Sequence, residues 1–205
     1  MDFEKIMSIV RKRNMSAYFA KDHDEASAIA IKIAEEYAKS EGKTTGEVTV
    51  SSGGSVSLAE SGVKSVFEAA GYKMLNPRVN PEDKKRIADI FLTSTNAITE
   101  DGELVNIDGN GNRVSAMIYG PDRVIFIVGK NKIAASLEDA YNRVKEIACP
   151  KNAVRLNRET PCAKYGKCTP CLIPGQTMCA HTVITRFSSV SGRVHIIFTD
   201  ETLGY

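Results

Sequence analysis

Residues 124–128 read Val-Ile-Phe-Ile-Val without a polar interruption. A strand this apolar offers no face to water, so it belongs inside a sheet that is covered on both sides. Such sheets are mainly parallel and are built from strands alternating with helices. The rest of the chain follows that alternation.

Phe3, Ile6, Met7, Ile9 and Val10 fall on one side of a helix over residues 2–13, and Arg11-Lys12-Arg13 suits its negative C-terminal end; residues 1–20 form a helical lead-in on this reading. Asp22 or Asp24 can cap a second helix, in which Ala26, Ile29, Ala30, Ile33, Ala34 and Tyr37 repeat at helical spacing up to Gly42. Strands are expected at 47–51, 72–75 and 91–94. Helices are expected at 57–70, closed by Gly71, and at 81–89, with Pro81 in the first turn. Residues 103–107 and 114–119 flank Asp108-Gly109-Asn110-Gly111-Asn112, whose Asp-Gly and Asn-Gly pairs favour a hairpin. Ser136 caps a helix that carries Leu137, Ala140, Tyr141, Val144, Ile147 and Ala148 on a core-facing side and is stopped by Pro150. Two last strands, 181–187 and 193–199, are expected to return to the main sheet. The unperiodic segment 160–180 then becomes an insertion in a single α/β domain spanning 1–205.

Length and charge narrow the function. The chain has 205 residues, 42% hydrophobic and 25% charged, which suffices for one domain with its own core. Its 27 basic and 25 acidic residues leave a formal charge of +2, so nothing draws it generally to nucleic acid or anionic lipid. Met1-Asp2-Phe3-Glu4-Lys5 lacks the layout of a signal peptide, and no apolar run reaches the roughly 20 residues that span a bilayer. A soluble, cytoplasmic protein with neither nucleic-acid nor membrane partners is expected.

Cysteine carries the strongest chemical signal. Cys162, Cys168, Cys171 and Cys179 fall within 18 residues, and in a reducing compartment such clustering argues for metal over disulfides. Four thiolates in an irregular loop can ligate a tetrahedral zinc or an iron-sulfur cluster, and the metal bonds supply folding energy that the loop lacks. Only Cys168 and Cys171 form a Cys-x2-Cys knuckle, a spacing that favours iron-sulfur (4Fe-4S) over zinc. Free or transiently paired thiols are the remaining reading. His181 can replace one thiolate, and Cys149, before Pro150, reads as a small buried thiol.

Two polar segments are candidates for ligand binding. Gly53, Gly54 and Ser55 lie between a strand and a helix, where backbone N–H groups suit phosphate or carboxylate; a tight turn without a ligand explains them equally. Asn96 falls beyond the carboxyl end of the strand at 91–94, the place where parallel sheets bind ligands. Asn96, Asn112 and Arg113 can hydrogen-bond an anion, Lys132 can reach the same crevice, and Glu100 or Asp101 can move protons. The competing reading of Glu100-Asp101-Gly102 and of the Asn-Gly pairs is turn chemistry, and that of Lys132 is a solvated side chain. His23 and His195 stand alone, with no catalytic couple.

The run Ser94-Thr95-Asn96-Ala97-Ile98-Thr99-Glu100-Asp101-Gly102, then Leu104-Val105-Asn106-Ile107-Asp108-Gly109, Gly111-Asn112-Arg113, Gly120-Pro121 and Val128-Gly129-Lys130-Asn131-Lys132-Ile133, resembles the LUD (lactate utilization) domain family. Thr160-Pro161-Cys162, Gly166-Lys167-Cys168 and the later cysteines resemble its short, cysteine-bearing branch, and Gly53-Gly54-Ser55 matches its glycine-serine turn. The resemblance covers roughly residues 14–205. It implies a fold related to the ribose-5-phosphate isomerase, glucosamine-6-phosphate deaminase and CoA-transferase group, with a C-terminal cysteine-rich metal-binding loop. It also implies work in L-lactate oxidation beside iron-sulfur oxidoreductase subunits.

Three functions follow as expectations. The first is a metal-containing, iron-sulfur component of lactate or 2-hydroxy-acid utilization whose crevice holds a small anionic or phosphorylated metabolite. The second is a non-catalytic metabolite-binding or regulatory module with a structural zinc. The third is a sugar-phosphate isomerase or CoA-transferase-like enzyme. Aligning Leu104-Val105-Asn106 on the isomerase's Leu-Ile-Lys puts Asn96 and Asn106 where that enzyme uses an acid and a lysine. A neutral amide cannot abstract a carbon-bound proton, and no Glu-Asn-Gly run supplies an acyl nucleophile.

Overall fold

Two aspartates set the first two helices. Asp2 accepts from the Lys5 N–H at the start of α1 (Phe3–Lys12), and Asp22 accepts from the Glu25 N–H at the start of α2 (His23–Ser40). The computed structural model describes residues 2–76 and 79–205; Met1, the first residue of the expected lead-in, lies outside them. Between these helices the expected helical lead-in gives way to a strand, β1 (Ser16–Ala20). Its backbone pairs in register with the end of the chain, Ser16 opposite His195 and Ala20 opposite Thr199.

The main sheet is six-stranded and parallel throughout, in the order β1-β10-β7-β4-β2-β3. Its other members are β2 (Thr49–Ser52), β3 (Lys73–Met74), β4 (Ile90–Thr93), β7 (Arg123–Gly129) and β10 (Val194–Thr199). The apolar run of β7 takes an interior place between β4 and β10. Its Ile125 and Ile127 join a core formed with α2 and α4 (Val63–Ala69), whereas Val124, Phe126 and Val128 join a second core with α1 on the opposite face. Each fully buried side chain of this size stabilises the fold by about 1.5–3 kcal/mol, which explains why the run tolerates no polar residue.

A smaller mixed sheet, β8-β5-β6-β9, packs over the second core. It comprises β5 (Ala97–Thr99), β6 (Leu104–Asp108), β8 (Ile133–Ala134) and β9 (His181–Thr185). Ile98 and Leu104 face the main sheet. Ala97, Val105 and Ile107 face α6 (Leu137–Arg143) and the turn that follows it.

The structure departs from several of these expectations. Residues 181–187 do not return to the main sheet, since β9 runs antiparallel to β6. The hairpin at 103–119 is absent: β6 turns back through Glu100-Asp101-Gly102 onto β5, and residues after Gly111 form α5 (Asn112–Ile118). Asp108 Oδ1 accepts from the N–H groups of Asn110 and Gly111, turning the chain into a helix that buries Val114 and Met117 at helical spacing. The helix expected at 57–70 breaks at Gly62, whose φ is +65°, into α3 (Val56–Glu60) and α4. Residues 81–85 form a 3-10 turn instead of a helix running to 89.

Pro150 does not stop the helix at 137–148. A π-helical turn at Val144–Ala148 widens the backbone so that Pro150 falls in the first turn of α7 (Cys149–Arg155), where its missing N–H costs no bond. Of the expected core-facing set, Ala140, Val144 and Ala148 are buried, but Leu137, Tyr141 and Ile147 are exposed. The cysteine segment contains one helical turn, α8 (Pro161–Tyr165), and is otherwise irregular. Among the described residues no helix is long and apolar enough to cross a membrane.

Candidate functional site

Because the main sheet is parallel, the carboxyl ends of β2, β4 and β7 open on one edge, and the loops leaving them meet there. They line a cavity of about 500 Å³ together with the β6–α5 connection, α7 and the cysteine segment. Six of the seven ligand-binding residues expected from sequence reach its wall: Gly54, Ser55, Asn96, Asn112, Arg113 and Lys132. Gly53 lies behind the wall. A Cβ there would come within 3.2 Å of the Arg113 Cγ and Cδ, so glycine lets the arginine lie flat against the β2 end. Ser55 accepts from the Leu58 N–H and is thereby the N-cap of α3.

Arg113 is held by protein alone. Nη1 donates to Asn106 Oδ1 at 2.8 Å and to the Ser94 carbonyl at 3.2 Å, and Nη2 donates to the Ile107 carbonyl at 2.8 Å and to Asn96 Oδ1 at 2.9 Å. Asp108 Oδ2 lies 3.4 Å from Nε. The guanidinium therefore locks the β4–β5 segment to β6 and gives the cavity a positive charge without offering a free fork. Asn96 and Asn106 serve that clamp: the Asn96 N–H donates to Asn106 Oδ1, and the Ile107 N–H donates to Asn96 Oδ1.

Lys132 is the least expected member. It is only 4% exposed, and its Nζ donates to Ser94 Oγ at 3.2 Å and to the Thr95 carbonyl at 3.0 Å. Burial, reinforced by the positive charges of Arg143 and Arg113, lowers its pKa to about 7. Arg143 is fixed beside it, donating to the Asn131 and Asn96 carbonyls at 2.7 and 2.6 Å. Arg155 and Arg158 complete the cationic lining, and Arg158 Nε is buried without a hydrogen-bond partner. Sequence reasoning missed both arginines because they lie on or just beyond α7, which exists only where Pro150 is absorbed by the π-turn.

Glu100 and Asp101 lie elsewhere. They occupy the β5–β6 turn, where the Gly102 N–H donates to the Thr99 carbonyl and Arg13 donates to the Asp101 carbonyl, and neither reaches the cavity wall. Asp108, a carboxylate on that wall, is engaged by two backbone N–H groups and by Arg113.

The cysteine segment forms one side of the cavity through Gly175, Thr177 and Met178. All five cysteines are unpaired: Cys162 is buried, Cys149 and Cys171 are partly buried, and Cys168 and Cys179 are exposed. Burial raises the Cys179 thiol, and the charges of Cys171, Cys168 and Cys162 add to this. Cys149, pushed up to about 12 by burial, also feels Cys179, Cys162 and Cys168. The fifth cysteine therefore interacts electrostatically with three of the other four. This all-sulfur donor set suits zinc or an iron-sulfur cluster. Among the described residues, however, no three His, Cys, Asp or Glu side chains are grouped to hold a metal ion. His181 starts β9 and lies beside Gly111, 3.5 Å from the position of an added Cβ.

Comparison with known proteins gives the lineage. Among solved structures, the chain is similar to a DUF162-family protein from Deinococcus radiodurans, with 13% identity and a TM-score of 0.49 over 97% of this chain and 99% of that one. It is also similar to eIF2B delta from Chaetomium thermophilum, with 17% identity and a TM-score of 0.30 over 51% of this chain and 48% of that one. No curated protein matches it. The sequence model of the LUD domain matches residues 3–199, nearly the whole chain. The chain belongs to the LUD (lactate utilization) domain family.

Proposed function

We propose that this protein is an iron-sulfur component of 2-hydroxy-acid utilization, lactate being the representative substrate, and that the cavity at the carboxyl ends of β2, β4 and β7 binds the acid. One observation carries the reading: the cysteine segment supplies Gly175, Thr177 and Met178 to the cavity that Arg113, Arg155 and Arg158 make cationic. A cluster held by Cys162, Cys168, Cys171 and Cys179 would lie next to a bound carboxylate. When bound, such a cluster supplies one-electron chemistry. The chain's own residues bind and orient the ligand: Arg155 and Arg158 face its carboxylate, and Lys132 contacts its 2-oxygen. Partner iron-sulfur oxidoreductase subunits would pass the electrons on, and the unpaired thiols suit a reducing compartment such as the cytoplasm.

The test is spectroscopic. Protein purified without oxygen should absorb visible light as a thiolate-bound cluster, and adding L-lactate or pyruvate should perturb that spectrum. A cluster spectrum indifferent to both acids contradicts the shared site.

A second reading rests on Asp108, the cavity carboxylate, being fully engaged in a turn and an ion pair. With no free carboxylate side chain on its wall among the described residues, the cavity suits a metabolite-binding or regulatory module whose cysteine loop is stapled by zinc. Stabilisation by a phosphosugar or CoA ester, with one zinc per chain, would select it.

A further inference from the structure

Lys132 is buried in a cavity wall, and no carboxylate forms an ion pair with it among the described residues. Among the described residues its charged neighbours are mainly cations: Arg143 and Arg113 oppose protonation, and Glu60 favours it. A neutral amine has two N–H donors and one lone pair. Ser94 Oγ and the Thr95 carbonyl account for two donors, which leaves the lone pair for the cavity. Desolvation beside other cations is a recognised way of turning a lysine into a nucleophile. Arg158 Nε, buried without a partner on the same cavity, is a donor suited to a ligand's carboxylate.

We propose that Lys132 forms an imine with a small 2-oxo acid held in this cavity. The proposal rests on the cavity being an anion site. The Nζ lone pair adds to the carbonyl carbon, forming the C–N bond, and the carbonyl oxygen takes up a proton to give a carbinolamine. Loss of that hydroxyl with a second proton, as water, forms C=N. Both protons lost by the amine leave on the departing oxygen, and no oxidant or reductant is consumed. Ser94 Oγ, 3.2 Å from Nζ, is placed to relay a proton, and Arg158 holds the carboxylate.

The experiment treats the full chain with pyruvate and sodium cyanoborohydride at pH 7, then maps modified peptides by mass spectrometry. Lys132 should be labelled about a hundredfold above other lysines, because an ordinary lysine amine is almost wholly protonated at that pH. L-lactate has no ketone carbonyl; it should leave no adduct and should suppress labelling by pyruvate. Lys132→Arg should abolish the adduct. Because the wild-type peptide map stands alone, the outcome does not depend on that variant folding. Lys132 labelled no faster than surface lysines overturns the imine. Stabilisation by pyruvate without an adduct also overturns it and leaves the anion site standing. Absence of stabilisation by either acid removes the anion site itself, and the imine with it.

Discussion

Arg113 Nη2 donates to Asn96 Oδ1 at 2.9 Å, joining the segment that leaves β4 to the helix that follows β6. The same guanidinium serves the Ser94 and Ile107 carbonyls and Asn106 Oδ1, so one side chain satisfies four acceptors beneath the cavity floor. Arg113→Met removes a donor from all four and leaves Asp108 without its cation. Urea unfolding should show a loss of roughly 3–5 kcal/mol. Arg113→Lys should recover only a minor part, because an ammonium cannot reproduce the planar fork. A loss below about 1 kcal/mol would contradict this role.

Gly204 joins the C-terminal segment to the cavity wall. Its φ is +63°, and an added Cβ would lie 2.5 Å from Ser57 Oγ and 3.0 Å from Ser57 N. Gly204→Ala should cost about 1–3 kcal/mol and release Leu203 to Tyr205. Hydrogen exchange should quicken at the Leu203 and Gly204 amides, which donate to Asn131 Oδ1 and Glu60 Oε2. Unchanged protection there contradicts the anchor.

Asp89 ties the opposite, amino end of the sheet together. Burial alone would raise its carboxyl, but hydrogen bonds from Lys43, from the Thr49 hydroxyl and backbone, and from Tyr37 outweigh it and bring the pKa from 3.8 to about 2. The folded state then holds its proton more weakly than the unfolded chain. The resulting stability is present above pH 3.8 and is lost as pH falls towards 2. Asp89→Asn should cost on the order of 2 kcal/mol at pH 7. The difference from wild type should vanish near the lower end of that range; a gap independent of pH would contradict the linkage.

Lys132 works in the opposite sense. Its folded pKa of about 7 lies below the ordinary 10.5, so the unfolded chain binds the proton better. The cost of burying it is full below about pH 7 and fades as pH rises to 10.5. Lys132→Met should therefore be more stable than wild type at pH 6, by about 1–3 kcal/mol after allowing for the unpaired Ser94 and Thr95 acceptors. That advantage should shrink by pH 10. Chemical denaturation at the two pH values checks it, and a variant less stable at pH 6 than at pH 10, relative to wild type, contradicts the sign.

The residues that made the sheet legible were those with one job. The run at 124–128 could only be interior, and the apolar face of α2 could only be helical. The sheet's parallel direction then brought Gly54, Ser55, Asn96 and Lys132 to one edge although 78 positions separate the first from the last. Where residues had two uses, local pattern misled. Asn110-Gly111 suits a hairpin, but Asp108 turns it into a helix. Ser16 to Ala20 is short, contains no β-branched residue and becomes a strand by pairing with β10. Pro150 ends helices in general, and the π-turn that admits it depends on packing of Val144 and Ala148. Arg155, Arg158 and the burial of Lys132 were illegible because tertiary contacts create them.

The central claim, a thiolate-bound cluster beside an anion cavity, is tested most directly by measuring iron, zinc and acid-labile sulfide on one sample purified without oxygen. The account predicts brown protein with iron and sulfide in equal amounts, on the order of four each per chain, lost together in Cys168→Ser. Colourless protein containing one zinc per chain, or no metal, contradicts it.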